Sequence, residues 1–272
     1  MALLSVRCAT SGGPSSLAGR RSALALTREG VLGEVTLTGN EYLLVYNVFS
    51  LVVASMFGAF IYFAFNVSQV SKKYRSAVVV SAVVVAVAGY HYFRIFTGWA
   101  DGEFNEGYRY ADWLLTVPLL LIELLIVLGI TSEKRRPLAI KLVIAAIAMI
   151  ALGYPGEVST SDSTKWIFWV LAMIPFVYIL VTVAGEMKAS ATRESARVAK
   201  GIRLAAILLL VAWLVYPIAY LFPILFGESS GMAETVRQVG YSVADLLAKP
   251  VYGLAILAVA KLRTAEEEPA NS

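Results

Sequence analysis

The chain has 272 residues, of which 58% are hydrophobic and only 15% are charged, and its mean hydropathy is +0.72. A soluble domain of this length carries far more charge on its surface, so the composition excludes an ordinary soluble fold. The single cysteine excludes an internal disulfide and any metal site built from several cysteines. The net charge of +4 does not indicate nucleic-acid binding, because the basic residues lie in short segments between apolar runs.

Residues 1–40 differ from the rest of the chain, since arginine and serine are frequent and no acidic residue precedes Glu29. This composition is typical of a targeting peptide, and it fits a disordered tail equally well. Arginines close to the first span would oppose the topology derived below, which favours removal or translocation of the segment. We therefore exclude it from the fold and assign the main domain to 41–262 and a tail to 263–272.

Long apolar stretches recur through 41–262, and each can cross a hydrocarbon core about 30 Å thick. The segments between them alternate between basic and acidic or polar. Because positive segments stay in the cytoplasm, we expect the N-terminus outside and the C-terminus in the cytoplasm. The sequence thus predicts an all-α membrane protein, a seven-transmembrane-helix bundle. The predicted spans are 42–66, 76–97, 106–130, 137–154, 165–187, 202–225 and 233–261.

The third span carries polar residues at a helical spacing. At 100° per residue they fall within about 80° of arc, on a stripe that faces the bundle interior. Charged side chains inside a membrane helix are costly and indicate a function. The members of the stripe are Arg109, Asp112, Thr116, Leu120 and Glu123.

The two carboxyl groups of this stripe are expected to differ in charge. Asp112 and Glu123 lie about 16 Å apart along the helix axis, which is too far to share a proton. Arg109, one turn from Asp112, favours its ionised form, whereas the apolar neighbours of Glu123 favour its neutral form. A charged acceptor on one side and a loaded donor on the other is what directed proton transfer requires. The alternative is two buried acids that are neutralised by other partners.

The seventh span contains Lys249, with Asp245 four residues earlier on the same helix face. A lysine at the middle of a membrane costs about 3 kcal/mol or more to insert. One interpretation is a buried ion pair that holds helices together. The other is a reactive amine, because a desolvated lysine readily forms a Schiff base with an aldehyde.

These motifs resemble those of microbial (type 1) rhodopsins, and among them the xanthorhodopsin-like and proteorhodopsin-like proton pumps. The similarity covers roughly 40–262, and its most specific parts are the run RYADWLLTVPLL from Arg109 and the Asp245–Lys249 pair. The resemblance implies all-trans retinal bound to Lys249 as a protonated Schiff base. It also implies that Asp112 is the primary counterion and proton acceptor, and that Asp245 is the second counterion.

The resemblance implies roles for the remaining polar residues as well. Glu123 matches the cytoplasmic proton donor, Arg109 the arginine that gates the outer half-channel, and Thr116 the hydroxyl that hydrogen-bonds the acceptor. His91 is the only histidine, and a lone histidine is more often a core residue. The run around it resembles that of the xanthorhodopsin-like pumps, which implies that His91 pairs with the acceptor Asp112.

Aromatic residues of the sixth span, spaced as in ordinary helix packing, match the retinal pocket of the same family. The resemblance implies that Trp213 and Tyr220 flank the polyene and that Tyr216 and Tyr92 hydrogen-bond the second counterion. The implied wall residues are Tyr92, Trp113, Leu120, Met149, Gly153, Trp169, Phe176, Trp213, Tyr216, Pro217 and Tyr220. Trp169 stands where carotenoid-binding members have glycine, so we expect no carotenoid antenna.

The sequence therefore predicts a light-driven outward proton pump, an ion transporter and not an enzyme, in the plasma membrane or in an internal membrane. The alternatives are a photosensory rhodopsin that signals to a partner protein, which the carboxyl at Glu123 disfavours, and a retinal-free receptor or transporter. The expected partners are the lipid bilayer, protons and further copies of the chain as a homo-oligomer, with no nucleic acid. No proton-release group is evident, because Glu103, Glu106 and Glu228 are expected to be solvated loop charges.

Overall fold

The computed structural model describes residues 5–8, 26–29, 35–227 and 229–267. Within them, seven helical spans are long and apolar enough to cross a membrane, which confirms the predicted number. Two helices and the π-helical turn between them, Leu247–Val251, form the seventh span. The helices are α1 (Gly39–Asn66), α2 (Lys72–Asp101), α3 (Gly107–Val127), α4 (Ser132–Glu157), α5 (Asp162–Ala191), α6 (Ala196–Phe226), α7 (Gly231–Leu246) and α8 (Tyr252–Glu267).

Three short strands precede the bundle and form an antiparallel sheet in the order β1 (Ser5–Cys8), β2 (Leu26–Glu29) and β3 (Val35–Leu37). Both ends of β3 are buried, and the strand packs against α7 and α1. The strands lie within the predicted targeting segment, most of which is outside the described residues. Whether that segment is removed therefore stays a prediction.

The bundle has an apolar outside and a polar inside. Large side chains such as Phe65, Ile174 and Val181 are highly exposed, which suits contact with lipid hydrocarbon. The third and seventh spans are the most enclosed. They also carry many of the buried polar side chains, namely Arg109, Asp112, Thr116 and Glu123 in α3 and Glu234, Thr235, Arg237, Gln238, Ser242 and Asp245 in α7.

The seventh span is not one regular α-helix, because the residues around Lys249 form a π-helical turn. Pro250 follows Lys249 and has no backbone N–H, so it cannot donate to the carbonyl four residues earlier. The π-helical turn absorbs this gap by widening the hydrogen-bond spacing. It therefore sets the angle at which Lys249 leaves the helix toward the interior.

Candidate functional site

Two carboxylates hold the amine of Lys249, which is buried at the centre of the bundle. Its Nζ contacts Asp112 Oδ2 of α3 and lies 2.7 Å from Asp245 Oδ1, one turn earlier in its own span. Both carboxylates are buried. One cation between two anions leaves a net negative charge, so the other groups around the pair must compensate for it.

Asp245 receives that compensation from three hydrogen-bond donors. The hydroxyl of Tyr92 donates to Oδ2 at 2.7 Å, and the hydroxyl of Tyr216 donates to Oδ1 at 2.7 Å. The indole Nε1 of Trp113 donates to Oδ1 at 3.3 Å. Both tyrosine contacts agree with what the family resemblance implies. They hold the second carboxylate rigidly and distribute its charge.

Asp112 is less well supplied, and here the structure differs from the sequence-based expectation. The hydroxyl of Thr116 donates to the main-chain carbonyl of Asp112 at 2.8 Å and not to its carboxylate. Nδ1 of His91 lies 2.9 Å from the carbonyl of Val87, and no hydrogen bond joins the ring to Asp112 in the described part of the chain. Asp112 Oδ1 has no hydrogen-bond partner among the described residues. The His91–Asp112 pairing therefore stays a prediction.

Arg109 is fully buried and connects the central site to the N-terminal end of α3. It donates to the hydroxyl of Tyr92 at 3.0 Å and to Gln238 Oε1 at 2.6 Å. Its ion-pair partner among the described residues is Glu106 at 3.2 Å, and not Asp112 as its spacing along the helix suggested. The arginine therefore faces away from the central acceptor, because a buried anion lies on its other side.

That anion belongs to a buried cluster centred on Arg237 of α7. The guanidinium forms ion pairs with Glu157 at 2.7 Å, Glu234 at 2.7 Å and Glu106 at 3.3 Å. The amide of Gln238 also donates to Glu106 Oε1 at 2.5 Å. The expectation that Glu106 is a solvated loop charge is therefore wrong. Glu106 is buried because α7 places the guanidinium of Arg237 beside it. Of the other two glutamates, Glu103 is exposed, and Glu228 lies outside the described residues.

Glu123 occupies a separate, mostly apolar environment toward the other end of α3 and is wholly buried. The hydroxyl of Ser81 in α2 donates to its Oε2 at 2.8 Å. Its Oε1 has no hydrogen-bond partner in the part of the chain that is described. No ion pair reaches Glu123 within those residues, in contrast with the carboxylates around Lys249 and Arg237.

An apolar cavity reaches Lys249 from the side of α4, α5 and α6. Every implied wall residue lines it except Tyr92, which points instead to Asp245 and Arg109. Trp169 is held by a hydrogen bond of 3.1 Å from its Nε1 to the carbonyl of Pro217. The sequence reasoning did not include six further lining residues, Tyr110, Val117, Ile150, Ala172, Met173 and Tyr241.

Comparison with known proteins identifies the class to which this fold and site belong. The model of the bacteriorhodopsin-like protein family matches residues 44–262. The chain therefore belongs to the bacteriorhodopsin-like family and is a microbial (type 1) rhodopsin, an integral membrane protein that crosses the bilayer several times.

Individual relatives show which members of the family this chain resembles. The green-light absorbing proteorhodopsin of Gamma-proteobacterium EBAC31A08 is 29% identical over 214 residues, which cover 78% of this chain and 84% of the relative. The crystal structure of xanthorhodopsin, described as a light-driven ion pump with dual chromophore, superposes with a TM-score of 0.80 at 42% identity, covering 85% of this chain and 97% of the other. Thermophilic rhodopsin gives a TM-score of 0.79 at 42% identity, with 85% and 98% covered.

Proposed function

We propose that this protein is a light-driven outward proton pump that uses retinal bound to Lys249. The observation that carries the proposal is the position of the Lys249 amine, between Asp112 and Asp245 at one end of an apolar cavity, with Glu123 buried separately. The family and its proteorhodopsin and xanthorhodopsin relatives support the same reading.

The cavity fits retinal in its chemistry, because its walls are aromatic and aliphatic, as in most small-molecule sites. The one amine that lines it, Lys249, supplies the nucleophile that an aldehyde requires. When bound, retinal supplies light absorption and an isomerisation that changes the basicity and direction of the lysine nitrogen. Trp113, Trp213 and Tyr216 would hold its chain.

The chain's own residues then divide the proton transfer into two halves. Asp112 contacts Nζ of Lys249 and is the base placed to take its proton. Asp245 is less suited to this role, because three donors already stabilise its charge. Glu123, protonated in its apolar pocket, returns a proton to the same nitrogen from the other side.

The proposed direction of transport follows from the charges at the two ends of the bundle. Basic side chains such as Lys73, Lys134 and Arg263 lie at the end of the bundle to which Glu123 is closer. By the positive-inside rule this end faces the cytoplasm, so Asp112 and the Arg237 cluster lie on the outer side. Protons then leave through Asp112 and enter through Glu123.

Illumination of cells that express the protein tests the proposal. We expect the unbuffered medium to acidify, a protonophore to abolish the signal, and Asp112→Asn to remove it. Lys249→Ala should form no visible absorption band with all-trans retinal. A pigment that photocycles without changing the pH of the medium would favour a sensory rhodopsin, and wild-type protein that forms no band would favour a retinal-free receptor or transporter. Alkalinisation of the medium would reverse the proposed direction.

A further inference from the structure

Two buried side-chain oxygen atoms lack hydrogen-bond partners among the described residues, Oε1 of the proposed donor Glu123 and the hydroxyl of Tyr252. Both side chains are wholly buried, and Ser81 already bonds the other carboxyl oxygen of Glu123 at 2.8 Å. A buried hydroxyl without a partner costs about 1–3 kcal/mol relative to a satisfied one. Phenylalanine would fill the same space without that cost, so the hydroxyl of Tyr252 calls for an explanation.

The position of Tyr252 along the bundle suggests one. The third and seventh spans run in the same direction, because successive spans alternate in direction and these two are four positions apart in the order of spans. Tyr252 follows Lys249 by three residues, about 4.5 Å along the axis, and so it is displaced from Lys249 toward the level of Glu123. Glu123 itself lies about 16 Å beyond Asp112 in the same direction. The tyrosine therefore starts between the lysine amine and the proposed donor.

Helix packing and the backbone tie Tyr252 to both groups. Helix α8, which begins at Tyr252, packs against α3, which carries Glu123. The backbone N–H of Tyr252 donates to the carbonyls of Leu247 and Lys249 at the end of the π-helical turn. The turn that sets the direction of Lys249 therefore also fixes the position of Tyr252.

We propose that the hydroxyl of Tyr252 carries the proton from Glu123 toward the nitrogen of Lys249, an inference that rests on the proposed pump function. The O–H bond of Glu123 breaks as its proton moves to the phenol oxygen, while the phenol's own proton leaves toward Nζ of Lys249. The phenol is neutral before and after the step. The net change is a carboxylate at Glu123 and one additional proton on the nitrogen.

Tyr252→Phe tests the relay because it removes one oxygen atom and keeps the ring. We expect reprotonation of the lysine nitrogen, measured after a flash as decay of the short-wavelength state, to slow about tenfold or more. Loss of the infrared C=O band of the protonated Glu123 during the photocycle, identified by its absence in Glu123→Gln, should slow by the same factor. The frequency of this band in the dark should stay unchanged, because no hydrogen bond joins Tyr252 to Glu123 among the described residues. Tyr46→Phe, which removes a hydroxyl near the start of α1, is the matched control and should change neither quantity.

The two readouts separate a relay from packing. Wild-type decay in Tyr252→Phe would overturn the inference. Slow decay with a shifted dark C=O band would also overturn it, because the shift would show that the surroundings of Glu123 had changed. If the phenylalanine variant forms no pigment, Tyr252→His, which restores a group able to carry a proton, should decay faster than Tyr252→Leu. Equal decay of these two variants would contradict the relay. Failure of the pump proposal can be told apart from failure of the relay. In that case the wild-type protein would produce no light-driven pH change, and Glu123→Gln would leave the decay unaltered.

Discussion

Replacement of Arg237 by glutamine gives a sharp test of the buried cluster around this residue. The variant removes ion pairs to Glu157 at 2.7 Å, to Glu234 at 2.7 Å and to Glu106 at 3.3 Å. All four side chains are almost fully buried, so the carboxylates would lose their shared cation without gaining water. Removing one partner of a buried ion pair typically costs about 3–5 kcal/mol, and we expect a loss of that size.

The assay is the temperature at which the pigment loses its visible band in detergent. We expect Arg237→Gln to lower it by several degrees or more at neutral pH. The loss should shrink in acid, because protonated carboxyl groups no longer need a cation. Arg94→Gln is the matched control, since Arg94 lies on the surface and donates to Tyr108.

A double-mutant cycle makes the reasoning more specific. Adding Glu157→Gln to Arg237→Gln removes one uncompensated negative charge, so the double variant should be more stable than the sum of the single changes predicts. The reasoning is refuted if Arg237→Gln melts like the wild type at neutral pH. Additive effects of the two changes would show that the Arg237–Glu157 contact contributes no coupling.

Three further variants follow from the central site. Tyr216→Phe removes a 2.7 Å hydrogen bond to the second carboxylate, so we expect a shifted visible maximum with the seven-helix circular dichroism preserved; an unshifted maximum would argue against that bond. Trp169→Gly removes the indole and its hydrogen bond to Pro217. Carotenoid-to-retinal energy transfer, measured in the excitation spectrum, is expected in no protein other than this variant. Transfer in the wild type would contradict the prediction that the indole blocks a carotenoid. Gly156→Ala places a Cβ 2.2 Å from the hydroxyl of Tyr220, so we expect a lower melting temperature or a displaced tyrosine, and a wild-type melting curve and spectrum would show that the wall yields freely.

The sequence alone determined the parts of this protein that depend on local pattern. Hydropathy over helix-length windows gave the number of spans, because lipid imposes apolar length on each of them. Helical periodicity placed Arg109, Asp112, Thr116 and Glu123 on one face, since a single helix fixes those angles. A lysine deep in an apolar span marked the centre of the candidate site.

Contacts between helices were beyond the reach of that pattern. Arg109 contacts Gln238 because α7 packs there, and Ser81 reaches Glu123 from α2. The sequence does contain one signal for the cluster around Arg237. This arginine lies twelve residues before Lys249 in an apolar span, and an arginine inside a membrane needs buried partners. Its partners come from three different helix ends or turns.

The π-helical turn was likewise decided by the tertiary structure. Pro250 predicts that one backbone hydrogen bond of the helix is missing. The sequence does not decide whether this causes a kink, a bulge or the end of the helix. Packing of α8 against α3 and α6 selects a turn that keeps the span continuous. The sequence thus determines which residues share a helix face, whereas packing determines which faces meet, because the partners of a buried charge lie far away along the chain.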